Sequence, residues 1–114
     1  MGIRGLPLLT GLLALTFFAM PAVALQYITG HITQLEPTYM PDKIALQMDV
    51  GNTACPAGKW LWWVNGAAAA TGAQDSQSVY ATMLAALLSR KSVDFVIDDG
   101  DTTCNGKFFH LHAD

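Results

Sequence analysis

Residues 60–97 constrain the fold most, because they combine an aromatic strand, one amphipathic helix and a second apolar strand. The helix is predicted from apolar side chains whose spacing places them in one stripe along a helical surface. These residues are Val79, Tyr80, Met83, Leu84, Leu87 and Leu88. A stripe of this kind must be covered, so we predict a single helix that lies against a small sheet.

Polar residues mark both ends of this predicted helix. Asp75, Ser76 and Ser78 can accept hydrogen bonds from the first main-chain amides, which have no partner inside a helix. Arg90 and Lys91 suit the negative end of the helix dipole. We therefore expect the helix to begin near Asp75 and to end before Arg90.

Residues 1–24 are typical of a signal peptide. Arg4 precedes an apolar run over residues 6–20, and the Ala-Val-Ala sequence at 22–24 has the small residues of a cleavage site. The alternative is a membrane anchor, but this run is shorter than the roughly 20 apolar residues that span a bilayer. We therefore expect a mature domain over residues 25–114 that is exported, periplasmic or secreted, and makes no membrane contact after cleavage.

The two cysteines, Cys55 and Cys104, are predicted to form a disulfide bond. An even cysteine number and an export signal favour this interpretation, and a domain of about 90 residues benefits from a covalent link. Closing so long a loop contributes roughly 4 kcal/mol in the chain-entropy model. The alternatives, a redox pair or a metal site, would usually have shorter spacing, such as C-x-x-C.

The charged residues are few and mostly acidic. The whole chain has a net charge of −3, which becomes −4 when Arg4 is removed with the leader. Nucleic acids and anionic lipid surfaces are bound largely through clustered basic residues. We therefore expect neither of them as a partner.

Five stretches are predicted to be strands, because apolar and polar side chains alternate along them. They are residues 27–35, 43–50, 59–64, 92–98 and 107–112. Gly30 is expected where the first strand bends or is closely approached. In the second strand, Ile44, Leu46, Met48 and Val50 are predicted to face inward. Residues 65–73 are predicted to be a surface loop, and turns are expected at 98–101 and 105–106.

The predicted order of elements is therefore β-β-β-α-β-β, in a mainly β protein. This is the order of the oligonucleotide/oligosaccharide-binding (OB) fold, a small five-stranded barrel with one helix. The prediction is an OB-like barrel stabilised by one disulfide.

Several segments resemble a family of small exported bacterial proteins. The shared pattern has a Cys-x-x-x-x-Trp strand beginning at Cys55, a Tyr-Ala-x-x-Leu-Ala-Ala helix beginning at Tyr80, and a second cysteine at Cys104. The family resembled is that of the B subunits of subtilase-type AB5 cytotoxins and related single-domain proteins. The resemblance covers most of the mature chain and implies an OB-like fold. Its motifs are structural, so it transfers no sugar-contacting residue to this chain.

The three tryptophans in the third predicted strand are the candidate contact residues for a ligand or partner. Trp60 and Trp62 share one face of that strand, and Trp63 lies on the other with Leu61. Aromatic rings stack on sugars and anchor protein interfaces, but a small domain also needs them for its core. We expect at least two of them in the core and predict that a ligand or subunit contact includes a tryptophan.

The histidines suggest an alternative site. His110 and His112 are two residues apart on the last predicted strand and so face the same side. With His31 or an aspartate they could bind a metal ion. The simpler interpretation is that they are polar residues on a solvent-exposed edge strand.

The remaining candidate sites have simpler explanations. Asp98, Asp99 and Asp101 lack the ligand pattern of an EF-hand loop and are interpreted as a solvated turn. Neither a catalytic triad nor a carboxylate pair is apparent. We therefore predict a non-enzymatic exported domain without a cofactor that binds a protein, including copies of itself, or a glycan. The alternative is a small periplasmic metal-binding protein or enzyme that uses the histidines.

Overall fold

The computed structural model of this chain describes residues 24–64 and 72–114, with the isolated positions 2 and 5. These ranges contain β1 (Leu25–Gly30), β2 (Ile32–Glu36), β3 (Lys43–Met48), β4 (Leu61–Val64), α1 (Gly72–Ser89), β5 (Val93–Asp98) and β6 (Phe108–Leu111). The predicted mainly β fold with one helix is confirmed. The predicted signal peptide, except Gly2, Gly5 and Ala24, lies outside the described residues, and so do residues 65–71 of the predicted loop over residues 65–73. Gly72 and Ala73, the last two residues of that predicted loop, belong to α1 instead.

The strands form two three-stranded antiparallel sheets, with the orders β1-β5-β6 and β2-β3-β4. The predicted five-stranded OB-like barrel is not confirmed. Where a barrel would pair β4 with the last strand, the described ranges contain an isolated parallel bridge between Trp62 and Asn105. The Trp62 amide donates to the carbonyl of Cys104 at 2.9 Å, and the Gly106 amide donates to the carbonyl of Trp62 at 2.8 Å. The chain leaves this bridge before β6 begins at Phe108.

The first predicted strand is two strands, β1 and β2, which belong to different sheets. Gly30 lies where they separate, and a Cβ atom there would overlap Cγ2 of Val50 and lie 2.5 Å from Oδ1 of Asp49. His31 then leaves the ladder, because its amide donates to Oδ1 of Asp49 at 2.7 Å and its carbonyl accepts from the Asp49 amide at 3.0 Å. The predicted bend and close approach at Gly30 are confirmed.

The core lies between the inner faces of the two sheets and one face of α1, which packs against β2, β3 and β6. Its buried members are Ile28, Ile32, Ile44, Leu46, Met48, Cys55, Leu61, Met83, Ala86, Val93, Phe95, Ile97 and Cys104. The inward prediction is confirmed for Ile44, Leu46 and Met48. It is wrong for Val50, which is 37% exposed because β3 ends at Met48.

The buried face of α1 is rotated away from the predicted stripe. Leu88, predicted to face inward, is 75% exposed, whereas Ser76 and Ala86 are buried. The inward positions are Ser76, Val79, Met83 and Ala86, with Tyr80 and Leu87 also packed against the core. A small serine and a small alanine on this face leave room for the sheets to approach, and hydrophobicity alone does not detect such positions.

The start of α1 differs from the prediction, whereas its end before Arg90 agrees with it. The helix begins at Gly72, and Ser76 is buried inside it, so the predicted capping role of Ser76 is wrong. At the other end Arg90 has a φ of 55°, and the Lys91 amide donates to the carbonyl of Ala86 at 3.2 Å. This is the hydrogen bond of a Schellman cap, with an arginine at the left-handed position that glycine usually occupies.

The predicted disulfide between Cys55 and Cys104 is confirmed, with the two Cα atoms 5.9 Å apart. It joins the loop after β3 to the segment before β6. The turn at 98–101 is also confirmed, since the Asp101 amide donates to the carbonyl of Asp98 at 3.0 Å. The turn predicted at 105–106 is wrong, because Asn105 pairs with Trp62 and Gly106 packs so closely that a Cβ would lie 2.7 Å from Cζ of Phe95.

None of the helices in the described ranges is long and apolar enough to cross a membrane.

Candidate functional site

A cleft lies beside the disulfide, between the start of β1, the loop after β3 and the turn after β5. Its volume is about 360 Å³, and it is lined by Gln26, Asn52, Thr53, Ala54, Asp99, Gly100 and Thr102. This volume falls within the range of small-molecule sites. Three segments that are distant in sequence thus meet at one concave surface.

Asn52 organises the wall of this cleft. Its Oδ1 accepts a hydrogen bond from the Cys55 amide at 2.7 Å, and its Nδ2 donates to Oε1 of Gln26 at 2.8 Å. The Asn52 amide in turn donates to the carbonyl of Cys55 at 3.0 Å. The side chain is therefore held from both sides, and the Gln26 amide nitrogen remains as a donor.

The opposite wall is the turn that follows β5. Asp101 accepts hydrogen bonds from both the amide and the hydroxyl of Thr103, which hold the pKa of Asp101 below its usual range. Asp98 forms an exposed ion pair with Lys107 at 3.5 Å. The Lys59 ammonium donates to the carbonyl of Thr102 at 3.1 Å. The turn is thus fixed by contacts on its outer side, while Asp99, Gly100 and Thr102 line the cleft.

The disulfide connects these two walls. The Sγ atom of Cys55 lies 3.3 Å from the carbonyl oxygen of Asp101. Cys55 and Cys104 are completely buried. The cleft therefore lies beside a buried disulfide, and its lining combines mostly apolar surface with a few amide and hydroxyl groups. It can hold a small ligand that has both apolar and hydrogen-bonding surfaces.

The three candidate tryptophans lie outside this cleft and differ from one another. Trp63 packs against the core, whereas Trp60 and Trp62 are half-buried outside the core cluster. The expectation that at least two of them pack in the core is therefore wrong. The Nε1 atom of Trp63 is buried without a hydrogen-bond partner in the described part of the chain.

Trp62 belongs to a separate aromatic surface, formed with Tyr39 and Lys43. The rings of Trp62 and Tyr39 have centroids 5.9 Å apart. The Lys43 ammonium lies 4.7 Å from the Trp62 centroid and 5.3 Å from the Tyr39 centroid, within cation–π range. Tyr39 is 44% exposed and Val64, which pairs with Lys43, is 46% exposed.

The candidate histidines fall into two places. His31 contacts Asp49, with Nδ1 3.2 Å from Oδ2. His110 and His112 share one face of the β1-β5-β6 sheet, as predicted, and both contact Asp94. The structure thus brings two of the three histidines together on one carboxylate and gives His31 a different partner.

Asp94 is the centre of this second cluster. The Thr29 hydroxyl donates to Oδ1 at 2.7 Å, Nε2 of His112 lies 2.8 Å from Oδ1, and Nδ1 of His110 lies 3.5 Å from Oδ2. The His112 contact lies off the direction of a regular hydrogen bond, so it is best described as an ion pair. The contact with His112 lowers the pKa of Asp94 most, followed by the hydrogen bond from Thr29. In turn, Asp94 raises the pKa of His112.

Among the residues that the structure describes, no group of three or more His, Cys, Asp or Glu side chains is arranged to hold a metal ion. The exposed ring of Tyr27 lies beside His110, with centroids 6.3 Å apart. Thr29 on β1 and His110 on β6 both contact Asp94 on β5, so the Asp94 carboxylate links these three strands.

The cleft residues were not predicted from the sequence. Gln26, Thr53 and Thr102 carry no motif, and Asp99 was interpreted as part of a solvated turn. One feature of the sequence could have pointed to this region: Asn52 lies three residues before Cys55. An asparagine at that position can accept a hydrogen bond from the cysteine amide. It marks an ordered loop but does not reveal which strand the loop faces.

Comparisons with protein-family models, with curated proteins and with solved structures gave no match to this chain.

Proposed function

We propose that this chain is an exported, non-enzymatic domain that binds a glycan in the cleft beside the disulfide. The observation that carries the proposal is a cleft of small-molecule size beside the disulfide, whose mostly apolar lining also includes amide and hydroxyl side chains. Sugars offer many hydroxyl groups, which need donors and acceptors held in fixed positions. Gln26, Asn52, Thr53 and Thr102 supply such groups from three separate segments.

The disulfide and the sequence of the first 24 residues support export. Disulfides persist mainly in oxidising compartments outside the cytoplasm. Cleavage after Ala24 would make Leu25, the first residue of β1, the new N-terminus. Sequencing the N-terminus of the exported protein tests this, and a chain that still begins at Met1 would contradict it.

We also propose that the two sheets are an opened form of an OB-like barrel. If β1 and β2 are counted as one strand bent at Gly30, the order becomes the five-strand order of that fold. The parallel bridge between Trp62 and Asn105 joins the two sheets at the position where a barrel would close. The proposal also agrees with the resemblance to toxin B subunits.

A second candidate function is protein binding, including self-association, through the surface of Trp62, Tyr39 and Lys43. Exposed aromatic side chains with an adjacent cation are common at protein interfaces. The observation that favours it is the exposure of Tyr39 and Val64 around half-buried Trp62. The native mass over a range of concentrations tests it, and a Trp62→Ala variant should shift any oligomer toward monomer.

The glycan proposal is tested with a glycan array and variants of the cleft. Gln26→Ala and Thr53→Ala each remove hydrogen-bonding groups from the lining and should weaken binding by about tenfold, which corresponds to roughly 1.4 kcal/mol. Thr33→Ala is the matched control, because Thr33 is an exposed threonine on β2 that does not line the cleft. Unfolding midpoints confirm that each variant is folded. Binding that is unchanged in both cleft variants would contradict the proposal.

A further inference from the structure

The pairing of β1 with β5 reaches back to the last residue of the predicted signal peptide. Leu25 pairs with Asp98, and the amide of Asp99 donates to the carbonyl of Ala24 at 2.7 Å. This carbonyl belongs to the peptide bond between Ala24 and Leu25, which is the bond that signal peptidase would cut. Because Asp99 also lines the cleft, cleavage removes one partner of a hydrogen bond at the edge of the cleft.

Cleavage changes the polar groups at this edge. The Ala24 carbonyl leaves with the signal peptide, so the Asp99 amide loses its acceptor. The Leu25 nitrogen becomes an α-amino group, which has a pKa of about 8 and is therefore mostly a charged ammonium at neutral pH. In the described ranges the Asp99 carboxylate makes neither an ion pair nor a hydrogen bond, so it adds an acceptor on the same residue.

The strand that carries the new N-terminus is held in place on both sides. Gln26 pairs with Ile97 of β5, and its side-chain oxygen accepts a hydrogen bond from Nδ2 of Asn52 at 2.8 Å. A chain terminus that belongs to a paired strand stays ordered. The α-ammonium of Leu25 therefore remains close to the Asp99 amide after cleavage.

The position that the Ala24 carbonyl leaves suits the oxygen of a ligand hydroxyl group. The Asp99 amide and the Leu25 α-ammonium can both donate to that oxygen, and the Asp99 carboxylate can accept its proton. The mostly apolar lining of the cleft supplies few other groups that orient a ligand, and such sites depend on a small number of well-placed polar groups. The processed N-terminus supplies them at one edge.

We infer that signal-peptide removal completes the ligand site, because the new N-terminus at Leu25 and Asp99 together bind one hydroxyl group of a glycan at the edge of the cleft. This inference rests on the proposed function and on cleavage after Ala24, and it adds a subsite that the uncleaved chain lacks. In the uncleaved chain the Ala24 carbonyl occupies the position of that hydroxyl. Tight glycan binding is therefore restricted to the processed protein.

The test compares two forms of the domain on a glycan array: the exported chain that begins at Leu25, and a chain of residues 24–114 that retains Ala24. We expect the exported chain to bind at least about tenfold more tightly, as for the loss of one hydrogen bond to a charged group. The chain that retains Ala24 keeps the acceptor for the Asp99 amide, so its urea midpoint should equal or exceed that of the exported chain. Weaker binding without lower stability distinguishes an occupied subsite from a misfolded domain.

Asp99→Asn provides a second comparison, because it keeps the shape of the side chain and removes the charge beside the α-ammonium. It should weaken binding by the exported chain by about fivefold or more. In the chain that retains Ala24, the same substitution should change binding by less than about twofold, because the subsite is already occupied and the two changes are not additive.

Asp42→Asn is the matched control, because Asp42 is an exposed aspartate in the connection between β2 and β3 that does not line the cleft. It should leave binding by both chains unchanged. Equal binding by the two chains would overturn the inference, as would an exported chain that begins at a residue other than Leu25. If no glycan on the array binds the exported chain, or if Gln26→Ala and Thr53→Ala bind as well as the wild type, the proposed glycan site itself is overturned.

Discussion

The buried hydroxyl of Ser76 donates a hydrogen bond of 2.7 Å to the carbonyl of Pro41, which joins the helix to the connection between β2 and β3. Ser76 is completely buried in the second turn of α1. A hydroxyl in that position needs an acceptor, since an unsatisfied buried polar group is costly. The contact therefore fixes where the helix begins relative to the sheet.

We predict that Ser76→Ala lowers the free energy of unfolding by about 1–2 kcal/mol, because it leaves the Pro41 carbonyl without this donor. Ser78→Ala is the matched control, since Ser78 is exposed on the same helix, and it should change stability by less than about 0.5 kcal/mol. Urea unfolding followed by circular dichroism measures both. Equal midpoints for the two variants would contradict the role of Ser76.

The helix also illustrates what the sequence could and could not predict. Its presence followed from the spacing of Val79, Met83 and Leu87, which do pack against or within the core. Its rotation did not, because Leu88 is more hydrophobic than Ser76 and yet is exposed. Which face of a helix is buried depends on the surface that it covers, and a small polar residue with one specific partner carries no periodic signal.

A second prediction concerns the end of α1. Arg90 has a left-handed φ of 55°, a conformation that costs residues with a Cβ atom about 1 kcal/mol relative to glycine. Arg90→Gly should therefore stabilise the domain by about 0.5–1 kcal/mol relative to Arg90→Ala. Both variants remove the arginine charge, so their difference isolates the backbone effect. A glycine variant no more stable than the alanine variant in thermal unfolding would argue against a strained cap.

The disulfide is predicted to be essential for stability. Cys55 and Cys104 are 49 residues apart, and removal of a bond that closes such a loop should cost about 4 kcal/mol. The variant is Cys55→Ser combined with Cys104→Ser, and unfolding of the wild type with and without reductant is the companion measurement. Loss of that size in so small a domain should leave much of the protein unfolded. Wild-type stability in the double variant would contradict the prediction.

The pH dependence of stability should depend on His112. Asp94 raises the pKa of His112 above its ordinary value of 6.5, so its contribution is complete below about pH 6.5 and is lost as the pH rises through the folded pKa. The pKa of Asp94 is lowered from 3.8, so its contribution is present above pH 3.8 and is lost as the pH falls below that. The His112–Asp94 pair therefore stabilises the folded protein most between about pH 3.8 and about pH 6.5.

We expect the urea midpoint of the wild type to fall as the pH rises above about 6.5. His112→Gln should remove most of this fall, whereas His31→Gln should retain it, because His31 contacts Asp49 instead. Nuclear magnetic resonance titration of the His112 ring gives the same pKa directly. A fall of equal size in His112→Gln would mean that other groups determine the pH dependence.

The site was less predictable than the fold. Strand alternation identified Ile44, Leu46 and Met48 as core residues, and all three are buried. The cleft instead depends on the meeting of Gln26, Asn52 and Asp99, which are far apart in sequence. Their side chains follow no period, so they could be recognised only after the disulfide and the sheet pairing had placed them together.

The last prediction separates the tryptophans of β4. Trp62 lies on the outer surface with Tyr39 and Lys43, and Trp63 packs against the core beside Gly106. Acrylamide, a neutral quencher, should therefore quench the tryptophan fluorescence of Trp62→Phe less than that of the wild type. Trp63→Phe should retain the quenching but unfold more easily, by about 1–3 kcal/mol, because the core loses volume.

The same two variants test whether this strand contacts a partner. If the surface of Trp62 is buried by self-association, quenching of the wild type should decrease as protein concentration rises, and Trp62→Phe should not show that decrease. If a ligand covers it, added glycan should protect Trp62 from the quencher. Because Trp62 does not line the cleft, the glycan proposal predicts no such protection by a small sugar. Protection by a monosaccharide would place the binding site at the aromatic surface and remove it from the cleft.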